Sequence, residues 1–194
     1  MEEMLRLFIA IELSEEIRRW LEDARTRLVE RIPPGTVRWV DPGAIHLTLK
    51  FLGDTPSPKL EGIRGAMDAP ACSTRPFPLS VEGLGCFPNT ARPRVIWAGI
   101  RPEPLLTDLQ RGLEGELDRA GFPREPRAFS PHLTLGRVRD GVAGARLAEI
   151  GRAVGAIALE STVGMEVKDV CLFRSVLRPG GAEYSVLHRS PFSG

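Results

Sequence analysis

The chemistry-bearing residues of this chain fall in two tetrapeptides, His46-Leu47-Thr48-Leu49 and His132-Leu133-Thr134-Leu135, which hold two of its three histidines. In an extended strand alternate side chains face opposite sides. His46, Thr48 and Lys50 are then expected on one face, with Leu47, Leu49 and Phe51 on the other. In the second segment His132 and Thr134 share a face opposite Leu133 and Leu135. The leucine faces suit a core. The His/Thr faces must meet water or a polar ligand, because unpaired polar groups in a dry interior are costly.

If the two strands come together, two imidazoles and two hydroxyls converge on a pocket for a tetrahedral anion. An imidazole titrates near pH 6.5, so at neutral pH one ring can give a proton while its partner takes one. Positioned acid–base pairs of this kind contribute roughly 10²–10⁴-fold in rate. Threonine hydroxyls beside them would bond the non-bridging oxygens of a phosphoryl group. A two-histidine metal site is the competing reading, but no carboxylate or cysteine stands at a spacing that would complete such a shell. No metal and no cofactor are expected. The third histidine, His188, has no threonine two residues on and reads as a packing or surface residue.

The elements that must position these residues occur twice in the same order. Leu7–Ile11 reads as a buried strand, followed by a helix capped by Ser14, with Glu15 and Glu16 in its first turn and Ile17, Trp20, Leu21, Ala24 and Leu28 at helical spacing. Ile45–Leu52 is a second strand, Ser57-Pro58 opens a second helix, and a third strand lies within Pro76–Phe87. The pattern resumes with a strand over Arg94–Ile100, a helix marked by Leu105, Leu106, Leu109, Leu113 and Leu117, a strand over His132–Val138, and a glycine-interrupted helix from about Val142 to Ala153. One strand is expected over Val163–Phe173 and a short one over Tyr184–Leu187.

The motifs are 132 − 46 = 86 residues apart, and the same offset carries Val81, Leu84 and Phe87 onto Val167, Val170 and Phe173. Phe8–Ile11 maps onto Trp97–Ile100 at an offset of 89. Three elements in order at nearly constant offset imply an internal duplication with one motif per repeat. The expected fold is α+β, a single two-lobed domain over residues 1–194 with pseudo-twofold symmetry. A doubly wound nucleotide fold is disfavoured, since no glycine-rich loop follows the first strand.

Composition narrows the class further. The 194 residues are 42% hydrophobic and 26% charged, as in soluble globular domains. The net charge is only 26 − 25 = +1, so no overall basic field argues for a nucleic-acid partner. Lys50, Lys59 and Lys168 are the only lysines, leaving a strong arginine bias that suits phosphate recognition and equally suits genomic composition or heat tolerance. Cys72, Cys86 and Cys171 lack metal-type spacing and suit a reducing compartment. A cytoplasmic monomer without membrane attachment is the reading.

On these residues the chain resembles the two-histidine (2H) phosphoesterases, specifically the bacterial and archaeal RNA 2′,3′-cyclic phosphodiesterases, historically called 2′-5′ RNA ligases. The resemblance rests on Arg6-Leu7-Phe8-Ile9-Ala10-Ile11, Trp39-Val40, His46-Leu47-Thr48-Leu49-Lys50-Phe51-Leu52-Gly53, Arg92-Pro93-Arg94-Val95-Ile96-Trp97 and Phe129-Ser130-Pro131-His132-Leu133-Thr134-Leu135. It implies two antiparallel sheets flanked by helices, with the active cleft between lobes. It implies hydrolysis of a terminal 2′,3′-cyclic phosphate to a 2′-phosphomonoester, with His46 as proton donor, His132 as proton acceptor, and Thr48 and Thr134 on the phosphate. Arg137 matches a phosphate-binding position of the family, although strict alternation would turn it away from His132 unless the strand bulges. The implied partners are RNA ends bearing a cyclic phosphate, tRNA fragments among them, or small cyclic nucleotides. Phe87 is a candidate for stacking on a base or for the core. Reversal to 2′-5′ ligation, and a non-catalytic RNA- or nucleotide-binding module using the same cleft, remain open alternatives.

Overall fold

The computed structural model describes residues 3–159, 162–178 and 181–194. Its elements are β1 (Met4–Ile11), α1 (Glu15–Arg31), β2 (Val37–Trp39), β3 (Leu47–Pro56), α2 (Leu60–Cys72), β4 (Phe77–Phe87), β5 (Val95–Ile100), α3 (Pro104–Arg119), β6 (His132–Val138), α4 (Gly144–Ala156), β7 (Val163–Val167), β8 (Asp169–Arg178) and β9 (Gly181–Pro191). Ser14 caps α1 as its position predicts, its Oγ accepting from the Ile17 amide at 3.3 Å. Ile17, Leu21, Ala24 and Leu28 form the buried stripe of that helix. Ser57-Pro58 opens a 3₁₀ turn, and α2 proper begins at Leu60.

Among the described residues the strands form two antiparallel sheets of order β3-β1-β8-β9 and β2-β6-β5-β4-β7. The sheets do not coincide with the two halves of the chain. β4, from the first half, pairs with β5 in the second sheet, and β8 returns from the second half to pair with β1 in the first. The helices follow: α2 packs on β8 and β9 and α3 on β3, whereas α1 packs on β7 and α4 on β4. One apolar core therefore spans both sheets, taking in Leu7 and Leu47 as well as Val81 and Leu133.

Two strand assignments are corrected. The segment Val163–Phe173 is not one strand but two, β7 and β8, divided at Lys168 and belonging to different sheets. Val163 and Val167 are buried in the second sheet and Val170 to Phe173 in the first. Alternation looks the same on either side of such a crossing, which is why the pattern alone reads as continuous. The last strand is also much longer than Tyr184–Leu187, running over Gly181–Pro191.

Lys50 does not share the face of His46 and Thr48. Ile9 pairs with Lys50 and Ala10 with Thr48, so Leu49 is an extra residue in β3 and alternation inverts there. Lys50 turns inward and donates to Glu114 Oε2 at 2.7 Å and to the Pro123 carbonyl at 2.6 Å. Phe51 is put onto the opposite face and stands 71% exposed. The same irregularity recurs 86 residues later, where Ile96 pairs with Gly136 and Trp97 with Thr134, leaving Leu135 as the extra residue of β6.

Candidate active site

The second bulge settles the direction of Arg137. Leu135 and Gly136 are both buried, Arg137 is exposed, and Val138 is buried again, so Arg137 lies on the same side as His132 and Thr134. Its positional counterpart in β3 is Phe51. In both motifs the leucines are buried and the histidine and threonine half-buried. The motif strands lie in different sheets, and some of their Cα atoms come within 8 Å of each other. The His/Thr faces thus border the junction between the two sheets. Neither threonine hydroxyl has a protein hydrogen-bond partner among the described residues.

Both imidazoles are held by a carbonyl two residues upstream. His132 Nδ1 lies 2.8 Å from the Ser130 carbonyl oxygen, and the His46 ring bonds the Ala44 carbonyl. A carbonyl only accepts, so Nδ1 of His132 carries the proton and a neutral ring keeps Nε2 free as a base. The turn before His46 is itself braced. Arg18 of α1 donates to the carbonyls of Pro42 at 3.1 Å and Gly43 at 2.6 Å, and Asp41 Oδ1 accepts from the Gly43 amide at 2.8 Å.

Aromatic rings surround the two histidines unequally. His46 is stacked on Phe8 with centroids 4.4 Å apart, lies 5.7 Å from Phe173 and meets Tyr184 edge-on at 5.1 Å. His132 meets the edge of Phe87 at 4.9 Å, and Phe87 leans on Trp97 at 5.2 Å. Phe87 and Phe173, related by the 86-residue offset, therefore each flank a motif histidine. Phe8 and Trp97 are related by the offset of 89. Phe8, Tyr184 and Arg18 were missed in the sequence as site residues; the repeat offset already paired Phe8 with Trp97 and was the available signal.

Burial within this aromatic group pushes the His46 imidazole down to about 4, the bond to the Ala44 carbonyl opposing the shift and the nearby Arg18 guanidinium adding to it. The ligand-free ring is then neutral at pH 7. NMR titration of the free protein is expected to place its midpoint near 4, and saturation with a phosphomonoester is expected to raise it. Because the folded value lies below that of an unfolded imidazole, this group favours folding above pH 6.5 and loses that contribution as pH falls towards 4. A midpoint above about 6 without ligand would contradict the buried stacking.

His188 plays a packing role. Its Nε2 is 2.8 Å from Asp68 Oδ1, which also accepts from Ser190 Oγ at 2.6 Å, tying α2 to β9. Among the described residues no three His, Cys, Asp or Glu side chains gather as a metal site, and no helix is long and apolar enough to cross a membrane.

The chain has relatives. The model of the family described as LigT-like phosphoesterase matches residues 11–97 and again residues 99–184. The chain is 35% identical over 181 residues to an RNA 2′,3′-cyclic phosphodiesterase of Methanothermobacter thermautotrophicus, covering 93% of this chain and 95% of that one. It is 36% identical over 183 residues to a protein of the same name from Archaeoglobus fulgidus, with 94% and 98% covered. Among solved structures, a Thermus thermophilus protein superimposes with a TM-score of 0.76 at 31% identity, over 98% of this chain and 99% of the other. E. coli LigT complexed with 3′-AMP does so with a TM-score of 0.76 at 28% identity, over 99% and 100%.

Proposed function

The chain belongs to the LigT-like phosphoesterases, and from that premise we propose that it hydrolyses RNA 2′,3′-cyclic phosphate ends to 2′-phosphomonoesters by a two-histidine mechanism that needs no metal. The observation carrying this reading is the pair of half-buried His/Thr faces, each histidine anchored on the carbonyl two residues upstream and each threonine hydroxyl without a protein partner among the described residues. The relatives bearing the name RNA 2′,3′-cyclic phosphodiesterase supply the substrate class.

His132 takes a proton from water at Nε2 as the water oxygen attacks phosphorus. The P–O3′ bond breaks in line, and His46 gives its proton to the departing 3′-oxygen. Thr48, Thr134 and Arg137 hold the phosphoryl oxygens. His46 must be charged to act as the donor, and the bound phosphate provides the negative partner that favours the imidazolium. With a ribose hydroxyl in place of water the same geometry makes a 2′-5′ linkage. Water is in vast excess, so hydrolysis dominates. We further propose one domain arisen by internal duplication, acting as a monomer in the cytoplasm on RNA fragments or small cyclic nucleotides.

Product analysis on an RNA ending in a 2′,3′-cyclic phosphate, with EDTA present, tests the reading. The expected product carries a 2′-phosphate and forms at the same rate with and without chelator. Formation of a 3′-phosphate, or loss of turnover in EDTA, would overturn the mechanism. Saturable binding without turnover would leave a binding module in its place.

A further inference from the structure

Among the described residues β2 is an edge strand of the second sheet, lying outside the motif strand β6, and it has no counterpart in the first sheet, where the motif strand β3 is itself at the edge. Its register sets Arg38 opposite Arg137, between the pairs Val37–Val138 and Trp39–Gly136. Val37, Gly136 and Val138 are buried while Arg38 and Arg137 are exposed, so both guanidinium groups lie on the side of His132 and Thr134. Gly136 makes the arrangement possible. A Cβ there would stand 2.7 Å from Val37 Cγ1 and 2.9 Å from the Trp39 ring, and β2 would be pushed away.

Like charges directly opposed across an antiparallel pair are destabilising. Some surface arginines of this chain have acidic neighbours, as Arg101 has Glu82 at 2.7 Å and Arg189 has Asp169 at 2.6 Å. Others, such as Arg75 and Arg152, have none among the described residues. Arg38 and Arg137 differ in facing each other directly across the strand pair. Among the described residues neither Arg38 nor Arg137 has a side-chain hydrogen-bond or ion-pair partner. Guarding an exposed sheet edge calls for a charge, but a glutamate at position 38 would guard it equally and would relieve the repulsion. Two opposed, unpartnered guanidinium groups beside the His/Thr face answer to an anion, and their planar forks suit phosphate oxygens.

We infer that Arg38 is a second anion-binding residue, taking the phosphodiester next along the RNA chain, with Arg137 standing between that group and the reacting phosphate. The inference rests on the cyclic phosphodiesterase reading above and deepens it. The site then selects an oligonucleotide end over a cyclic mononucleotide, which has no such phosphodiester. Because the first sheet lacks an equivalent strand among the described residues, the preference also gives a nearly symmetric cleft a direction for the RNA.

The test compares a nucleoside 2′,3′-cyclic phosphate with a dinucleotide ending in the same group, for wild type, Arg38→Ala and Arg38→Gln. On the dinucleotide kcat/KM is expected to fall on the order of tenfold, chiefly through KM, and the preference for dinucleotide over mononucleotide to shrink about fivefold or more. The dependence of log affinity on log salt should lose a slope of about one for longer RNA. Equal loss on both substrates, or no loss, would overturn the assignment. If wild type turns over neither substrate, the cyclic phosphodiesterase reading fails by itself. Equilibrium binding of a dinucleotide with a terminal 2′-phosphate, against a nucleoside 2′-phosphate, then decides on Arg38 separately. Since each substitution removes a repulsion, the thermal midpoint should not drop.

Discussion

Replacing His132 with alanine is expected to lower turnover of cyclic-phosphate RNA by roughly 10²–10⁴-fold, and His46→Ala by a similar factor. The reasoning starts from position. His132 sits at the first residue of β6 with Nδ1 committed to the Ser130 carbonyl at 2.8 Å, so its remaining nitrogen is the only one free for the reaction. Alanine removes the proposed base and should leave the strand intact, because the buried anchors on either side of the motifs are Leu133, Leu135 and Ile45 rather than the histidines. The loss should appear mainly in kcat, since Thr48, Thr134 and Arg137 would still be there to hold the phosphate. The double variant should cost far less than the product of the two factors, because acid and base act in one step. His46→Ala also opens a gap in the stack with Phe8 and Phe173, so its folding must be checked by near-UV circular dichroism. Retention of more than about a tenth of wild-type turnover by either variant would be incompatible with acid–base roles of this magnitude.

The largest expected effect on stability is at Glu114. Lys50 and Glu114 have side chains only 5% and 11% exposed and are paired at 2.7 Å. The carboxylate also accepts from the Glu125 amide at 3.2 Å and lies 3.4 Å from Gln110 Nε2. This group ties β3 to α3 and to the segment leading towards His132. Glu114→Ala strands the ammonium in the interior and should cost about 3–5 kcal/mol, lowering the thermal midpoint by roughly 10 °C for a chain of this size. Removing both charges is different. Lys50→Met with Glu114→Leu replaces the pair by apolar groups of similar volume and should recover most of the loss. Urea unfolding of the wild type and these variants measures this directly, and a cost below about 1 kcal/mol for Glu114→Ala would show that the pair is solvated in solution.

The parts of this molecule legible in its sequence share one property: they are local. Ser14 caps its helix because its hydroxyl needs only the amide of Ile17. Leu47 and Leu133 read as core because alternation over a few residues turns them from His46 and His132. The correspondence of Phe87 with Phe173 was visible as an offset, although nothing in the sequence distinguished a ring against a motif imidazole from a ring in the core.

What only the tertiary structure decided depends on partners distant in sequence. The bulge at Leu49 exists because β3 must pair with β1, and it alone sends Lys50 to Glu114, 64 residues away. The matching bulge at Leu135 brings Arg137 back to the side of His132, which alternation by itself had excluded. The crossing at Lys168 sends two halves of one apolar run to different sheets, because each half finds a free strand edge there. The burial of His46 among Phe8, Phe173 and Tyr184 needs three strands from both ends of the chain. Residue types and short spacings thus determined which histidines and threonines share the polar faces of the two motif strands. Strand pairing decided which charges join them, because the face a side chain takes after a bulge is set by the neighbouring strand.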